Sequence, residues 1–551
     1  MRMRLHNKFA KFLTIIIVSI GLVGCNEYKK VDMIVHNATI YSVDDGMNTF
    51  EAMAINDGRI VELGPENQIL NKYSSDQKID AQKNFIYPGF IDAHSHFLGY
   101  GLTRNQVDLI GTQSFSEVLD RIDQYIQNNP NQNWIIGRGW DQNDWEIKEY
   151  PTNEVLNTRF PNKHIIMKRV DGHAMLVSNS VIELADISNL TQVPGGEILK
   201  IDGLLSGLLI DEAMTLVERI IPEPSVEHKT TCLVRAENDC FQVGLTSVCD
   251  AGLKVSEIEL INQLHENGRL KMRVYAMYSA DPILSKNLGS FGIKTERLNA
   301  KSVKVYCDGA LGSRGAFLLE TYSDDSLKEG SLITGSDSLR KWAELCLKDS
   351  FQLCVHCIGD AANRITLDVM GQVLGETNDR RWRIEHAQVV NQTDQQKFAS
   401  FNVIPSMQPS HATSDMYWAE ERLGAERIKN AYTLKSLLNQ NGMIALGTDF
   451  PVESIDPLNT FYSAVVRKDK SNYPDGGFNP ENSLSRLEAL KGMTIWAAIA
   501  SFEENEKGSL EVSKFADFVI LDKDILTCSD EEILKVNVIK TCLNGDIVYE
   551  K

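Results

Sequence analysis

The sequence predicts an α/β protein: a (β/α)8 TIM-type barrel, a small β-sandwich domain built from both termini, and a large insertion after the first barrel strand. Short apolar runs alternate with longer helical patterns through the middle of the chain, the rhythm of parallel strands joined by crossover helices. Eight such runs can be counted, at residues 85–93, 245–249, 273–278, 302–306, 353–356, 382–386, 403–407 and 443–448, and eight strands close a barrel. A different texture, short β-like runs broken by Asp57-Gly58 and Asn544-Gly545 turns, marks both ends of the chain.

The N-terminus comes first in chain order. Arg2, Arg4, Lys8 and Lys11 precede an apolar run over residues 12–23, too short and too one-sided in its flanks for an ordinary membrane span. Residues 1–24 therefore read as an export signal. Leu22-Val23-Gly24-Cys25 resembles the lipobox of bacterial lipoproteins, which implies cleavage before Cys25, lipid on its sulfur, and a globular part outside the cytoplasm on the cell envelope. The alternative is an uncleaved anchor helix with an incidental cysteine.

Residues 26–84 and 505–551 are expected to form the composite β-sandwich. Its strands are read at 33–35, 38–41, 52–55 and 59–62, completed by 516–522, 536–541 and 547–549. The barrel is assigned to residues 85–504. Within it, residues 97–243 are too long for one crossover and contain their own strand-like pieces at 134–137 and 164–167. Read as an insertion, this segment would sit at the barrel mouth, where substrate-selecting loops gather.

Composition narrows the partners. Hydrophobic residues make up 43% and charged residues 24% of the 551, with a formal net charge of −19, which disfavours nucleic acid and anionic lipid surfaces. A small-molecule substrate is expected, with a membrane reached only through the lipid anchor, and with room for a homodimer. Nine cysteines besides Cys25 leave at least one unpaired within the chain. Cys354 and Cys357 flank His356, but residues three apart on a strand face opposite sides, so they read as packing residues.

The chemistry is carried by side chains at strand ends. His94 and His96 follow the run 85–93 at a spacing that puts both on one face of a strand, pointing to a metal; the alternative is two histidines merely beyond a strand. Lys304, His356, His386 and Asp449 end the fourth, fifth, sixth and eighth runs, so five strands would bring six metal-compatible groups to one barrel face. In Ser302-Val303-Lys304-Val305-Tyr306 the valines share one face, which turns Lys304 inward, where an unpaired ammonium is costly. It needs a modification or a partner such as Asp308. Asp449 reads as a general base and acid, or as a helix N-cap.

Pro88-Gly89-Phe90-Ile91-Asp92-Ala93-His94-Ser95-His96, Lys304 through Arg314, Val355-His356-Cys357-Ile358-Gly359-Asp360, Ile384-Glu385-His386 and Gly447-Thr448-Asp449-Phe450-Pro451 together resemble the amidohydrolase superfamily. More narrowly they are similar to the amidohydrolase-3 branch that includes the N-substituted formamide deformylases. The resemblance implies one or two divalent transition metal ions, zinc first among them. His94, His96 and Asp449 would hold one ion and His356 and His386 a second, with Lys304 bridging as a carbamate; a plain lysine beside a single ion also occurs in the superfamily. It implies hydrolysis of an amide or other C–N bond by a metal-activated hydroxide. A deaminase, esterase or isomerase on the same fold, or a non-catalytic lipid-tethered solute-binding protein, are the alternatives. Trp140, His173, Arg314 and His411 resemble substrate-pocket positions of this branch. Each also has a structural reading: Trp140 as a core aromatic, Arg314 as a partner for Asp308, His411 as a loop hydrogen bonder.

Overall fold

The computed structural model describes residues 28–104, 106–169, 174–193, 196–376 and 378–551. Residues 1–24, read above as an export signal, Cys25 and His173 lie outside the described residues. Among the described residues, no helix is long and apolar enough to cross a membrane.

Eight parallel strands follow chain order around a nearly closed barrel. They are Phe90–Ser95, Leu245–Leu253, Arg273–Ser279, Leu298–Tyr306, Gln352–Cys357, Arg383–His386, Ile404–Met407 and Ala445–Leu446. All eight runs identified in the sequence appear, though the last is cut to two residues. Helices Val226–Gln242, Val255–Glu266, Ser336–Asp349 and Asp360–Leu374 pack outside. Their apolar stripes face the strands: Leu233, Ala236 and Cys240, spaced three and four apart, bury in the same core as Val303, Val305 and Val355. Ser225 caps the first of these helices by accepting the His228 N–H.

The first barrel strand is shorter than its apolar run. Phe85–Pro88 instead pairs with Phe518–Leu521 and Thr39–Tyr41 in the sheet of the termini, and only Phe90–Ser95 joins the barrel. The run divides at the turn dipeptide Pro88-Gly89, and burial of both strands erases the alternation that would otherwise separate them.

The termini build two larger sheets beside a two-stranded pairing of Lys29–Lys30 with Tyr73–Ser74. One has four strands, in the order Arg59–Gly64, Ala52–Asn56, Met33–His36 and Gln77–Asp80. The other has six, including Val538–Leu543, Phe518–Leu521, Phe85–Pro88 and Thr39–Tyr41. Met33, Val35, Met53 and Ile60 from the first share one core with Ile40, Ile86, Phe518 and Ile520 from the second.

Residues 107–211 contribute a separate six-stranded sheet, from Val107–Asp108 to Leu204–Asp211, with apolar cores of its own around Trp140 and Val181. Helix Val226–Gln242 falls inside the stretch read as insertion, yet its buried face belongs to the barrel core. The inserted unit therefore ends before that helix. All nine described cysteines are free thiols, and eight of them are buried; Cys354 faces the barrel interior and Cys357 the outer core.

A buried ion pair fastens the barrel to the terminal sheet. Arg273 Nε lies 2.6 Å from Asp517 Oδ2 and its Nη2 3.1 Å from Oδ1, while the guanidinium stacks 3.7 Å from the Phe515 ring centroid. Removing one partner strands a desolvated charge, so Asp517→Ala is expected to lower stability by about 3–5 kcal/mol. Urea unfolding checks this, and an unchanged midpoint would contradict the clamp.

Candidate metal centre

Main-chain bonds first set the positions of the candidate ligands. The Asp449 N–H donates to the His94 carbonyl at 2.7 Å and the His96 N–H to the Phe450 carbonyl at 2.8 Å, joining the ends of the first and last barrel strands. Beneath them the Asp92 carboxylate accepts from the His94 N–H, the Thr448 N–H and the Thr448 hydroxyl. Gly447 makes the approach possible, because a Cβ there would lie 2.4 Å from the His94 nitrogen. Burial pushes the Asp92 carboxyl up to about 7, against the pull of these donors.

Strand alternation aims Lys304 inward, as the sequence predicts: Val303 and Val305 sit in the outer core and Lys304 is 1% exposed. His386 needs more than alternation. On a regular strand it would share the outward face of Ile384, but it has φ +74° and the next residue, Ala387, +41°. This left-handed turn brings the ring into the cavity. Asp449 is held at φ +62°, and such conformations in non-glycine residues cluster at functional sites.

All six candidates converge. Lys304 Nζ lies 3.3 Å from His94 Nε2, and Asp449 Oδ1 lies 3.5 Å from His94 Nε2 and 3.1 Å from His96 Nε2. The ring centroids of His94 and His386 are 4.8 Å apart, those of His356 and His386 4.6 Å. Ligand atoms of His94, His386 and Asp449 fall within 4.8 Å of one another. His96, Lys304, His356, His386 and Asp449 line a cavity of about 920 Å³.

The outer nitrogens of three rings are already committed. His94 Nδ1 lies 2.5 Å from Glu385 Oε2, His96 Nδ1 3.0 Å from the Ala251 carbonyl, and His386 Nδ1 2.7 Å from Gln408 Oε1. Each of these acceptors takes an Nδ1–H, which leaves the Nε2 lone pair bare. Asp449 Oδ1 and His356 Nε2 are buried with no hydrogen bond among the described residues. His356 Nε2 also lies 3.8 Å from Asp308 Oδ1; the bare nitrogens of His94 and His386 and the orphaned Asp449 oxygen are the atoms close enough together to fit one divalent metal ion.

Electrostatics agree with that fit. Burial, reinforced by Lys304, lowers His94 to about 4 and His356 to about 3; burial and the neighbouring rings hold His386 well below its ordinary value. These rings stay neutral, the form that binds metal. His96 is raised, because Asp449 outweighs burial. Asp449 is held well below the ordinary carboxylate range: burial opposes ionisation, but His96, His94 and His386 outweigh it. Burial lowers Lys304 despite Glu385 and Asp449.

Neither proposed partnership of Asp308 forms. Its carboxylate accepts the N–H groups of Phe317, Ile358 and Gly359, while Arg314 pairs with Asp324 at 2.7 Å. Trp140 is not in the pocket: it is 1% exposed in the insertion core and donates from Nε1 to the Met167 carbonyl at 2.9 Å. A large aromatic with one donor is best satisfied in a core, and Tyr150, 6.5 Å away ring to ring, lines the cavity instead. Arg314 and His411 do line it, with His411 Nε2 3.7 Å from Asp449 Oδ2.

Sequence reasoning missed Glu385. It bridges His94 to Arg383, whose Nε lies 2.7 Å from Glu385 Oε1, and all three side chains are inaccessible to solvent. The signal was available as an acidic residue directly before a candidate ligand in a strand. Tyr306, Gln388, Asp415 and Arg422, also in the cavity wall, carried no comparable pattern.

Comparison with known proteins gives the site its context. The profile of the amidohydrolase family matches residues 77–549. The chain belongs to the amidohydrolase family. The protein LONG AFTER FAR-RED 3 of Arabidopsis thaliana is 32% identical over 542 residues, covering 94% of this chain and 91% of that protein. The N-substituted formamide deformylase of Arthrobacter pascens is 25% identical over 543 residues, covering 94% and 98% respectively. An uncharacterized metal-dependent hydrolase from Pyrococcus horikoshii OT3 superposes with a TM-score of 0.79 at 27% identity, over 90% of this amidohydrolase and 99% of that chain. Family and structural neighbours support a hydrolase.

Because Glu385 fixes the tautomer of His94 and neutralises Arg383, Glu385→Gln is expected to weaken divalent-metal binding about 10–100-fold. Chelator competition measures this, and wild-type affinity in a folded variant would contradict the role.

Proposed function

We propose that this amidohydrolase is a metal-dependent enzyme that hydrolyses an amide or other C–N bond of a small molecule. The observation that carries the reading is the convergence of bare imidazole nitrogens and the Asp449 carboxylate on one cavity wall. The similarity to an N-substituted formamide deformylase supports the choice of bond.

His94, His96, His356, His386 and Asp449 would hold the metal, and a nitrogen and oxygen donor set of this kind suits zinc. When bound, a divalent ion supplies Lewis acidity, polarising a carbonyl and lowering the pKa of water from about 15.7 to about 7. The protein's own part is positioning and proton transfer. Asp449, ionised and reached from the cavity, accepts the proton of the attacking water on its carboxylate and returns it to the leaving nitrogen. His411, 3.7 Å from Asp449 Oδ2, stands beside that transfer. Glu385 and Gln408 hold the rings of His94 and His386 in place through both steps.

Lys304 is buried with an amine that burial holds below its ordinary value. Addition of carbon dioxide to that amine, with loss of one proton to solvent, would give a carbamate. It would replace a positive group by a negative bidentate one where cations gather. Lipid attachment at Cys25 would tether the enzyme to the bacterial cell envelope with its globular part outside the cytoplasm.

Purified protein is expected to contain at least one equivalent of transition metal by elemental analysis. Against a panel of small N-acyl and N-formyl amines, Asp449→Asn is expected to lower kcat by about 10²–10⁴. Metal-free protein that retains full turnover would overturn the reading. Labelled fatty acid is expected to be incorporated by wild-type cells and not by Cys25→Ser; equal labelling of both would overturn the anchor.

A further inference from the structure

The cavity has a far end that the metal centre leaves unused. Residues 307–335, between the fourth barrel strand and helix Ser336–Asp349, form a long connection, and long ordered loops in compact domains are commonly functional. Its start is pinned beside His356, because Asp308 accepts three main-chain N–H groups from Phe317, Ile358 and Gly359. The connection carries Leu311, Gly312 and Arg314 into the cavity wall. Arg314 has φ +60°, a left-handed conformation that is strained for a residue with a side chain.

Helix Ala419–Arg427 supplies Arg422, and Trp418 directly precedes it. Asp324 lies between the two arginines. Arg314 meets it through Nε at 3.1 Å and Nη2 at 2.7 Å, and Arg422 Nη1 bonds the same Oδ2. The Arg422 Nε donates to the Gly312 carbonyl at 3.2 Å, and its guanidinium lies 5.8 Å from the Trp418 ring centroid. A Cβ on Gly312 would come 3.2 Å from that ring, so the glycine lets Trp418 lie against the loop.

Two cations thus share one carboxylate. Among the described residues, Arg314 Nη1 and Arg422 Nη2 bond nothing. The other charges nearby do not cancel the excess. Glu421 is 3.8 Å from Arg422 Nη1 but 71% exposed, where solvent screens it, and Asp325 faces Lys328 at 3.9 Å. The same cavity is lined by Asp415, which accepts from Tyr432 and Gln388 and whose carbonyl accepts the Trp418 N–H, and by Glu453, which accepts from Ser414. A negative group is attracted at the two guanidiniums and repelled at those carboxylates. Tyr150, Ile210, Leu311, Trp418 and Val452 give the cavity apolar and aromatic surface.

We propose that this end of the cavity is an anion subsite. The substrate would carry, beyond its scissile bond, an aromatic or branched apolar segment against Trp418 and Tyr150, and a terminal carboxylate at Arg314 and Arg422. A planar carboxylate matches the guanidinium edges those residues leave open. The subsite names the substrate class of the hydrolase reading and rests on it.

Two probes of matched shape test it on the metal-loaded protein: 4-(formamidomethyl)benzoate and 4-(formamidomethyl)benzamide, compared by calorimetry and by hydrolysis. Wild-type protein is expected to bind the benzoate about tenfold or more tighter than the benzamide, the range of a charge-assisted hydrogen bond. Arg422→Met is expected to reduce that preference to about twofold or less. Asp324→Asn removes the competing carboxylate and is expected to increase it, which keeps a variant of opposite sign available should Arg422→Met fail to fold. The metal is common to all three proteins, so a change in the ratio reports on the guanidiniums. Equal affinities in the wild type, or a preference indifferent to both substitutions, overturns the subsite. A preference that follows Arg422 and Asp324 without hydrolysis of either probe overturns the reaction and leaves the subsite standing.

Discussion

Main-chain hydrogen bonds between His94 and Asp449, and between His96 and Phe450, hold together the ends of the first and last barrel strands. The pairing does two things at once: it draws the ends of the barrel together and brings Asp449 Oδ1 within 3.5 Å of His94 Nε2 and 3.1 Å of His96 Nε2. It depends on Gly447, whose missing side chain lets the strands touch, and on Asp92, whose buried carboxylate gathers donors from both sides. Closure of the fold and assembly of the centre are the same event in this protein, so neither can loosen without the other.

Around that seam the electrostatics are arranged in layers. Arg383 is inaccessible in the barrel interior and would be intolerable alone; Glu385 neutralises it and in turn fixes the proton on His94. Gln408 and the Ala251 carbonyl do the same for His386 and His96. The outer layer spends its hydrogen bonds on orientation, so the inner layer presents lone pairs. An interior of buried imidazoles, an amine and carboxylates is made more tolerable because the outward nitrogens of His94, His96 and His386 are hydrogen-bonded.

Much of this was legible in the chain. The barrel could be counted because each strand falls in a short apolar run bounded by helical pattern, and the six candidate ligands because they sit at the ends of those runs. Lys304 was placed correctly by the valines on either side of it. What failed was periodicity in buried strands: residues 85–95 form two strands in two sheets, and the Pro88-Gly89 pair between them, not the apolar pattern, marks the division. Alternation alone would also have pointed His386 outward, since Glu385 holds the inward face; the left-handed turn that rescues it involves histidine and alanine, residues that do not announce such a backbone. Of the two readings of Trp140, the core aromatic is the one that holds, inside the independent core of the insertion. Arg422 joins Arg314 only through tertiary contact across Asp324, a pairing no local pattern encodes.

The central claim is that six side chains from five strands surround bound cations. An anomalous-difference map collected at a zinc absorption edge from crystals of the purified protein tests it most directly. The account predicts a peak about 2.0–2.2 Å from the Nε2 atoms of His94 and His96 and from an Asp449 oxygen, with density extending beyond the Lys304 amine if the carbamate forms. A clean cavity in crystals grown with excess metal, or a peak bound elsewhere while Lys304 keeps its contact to His94, would contradict it.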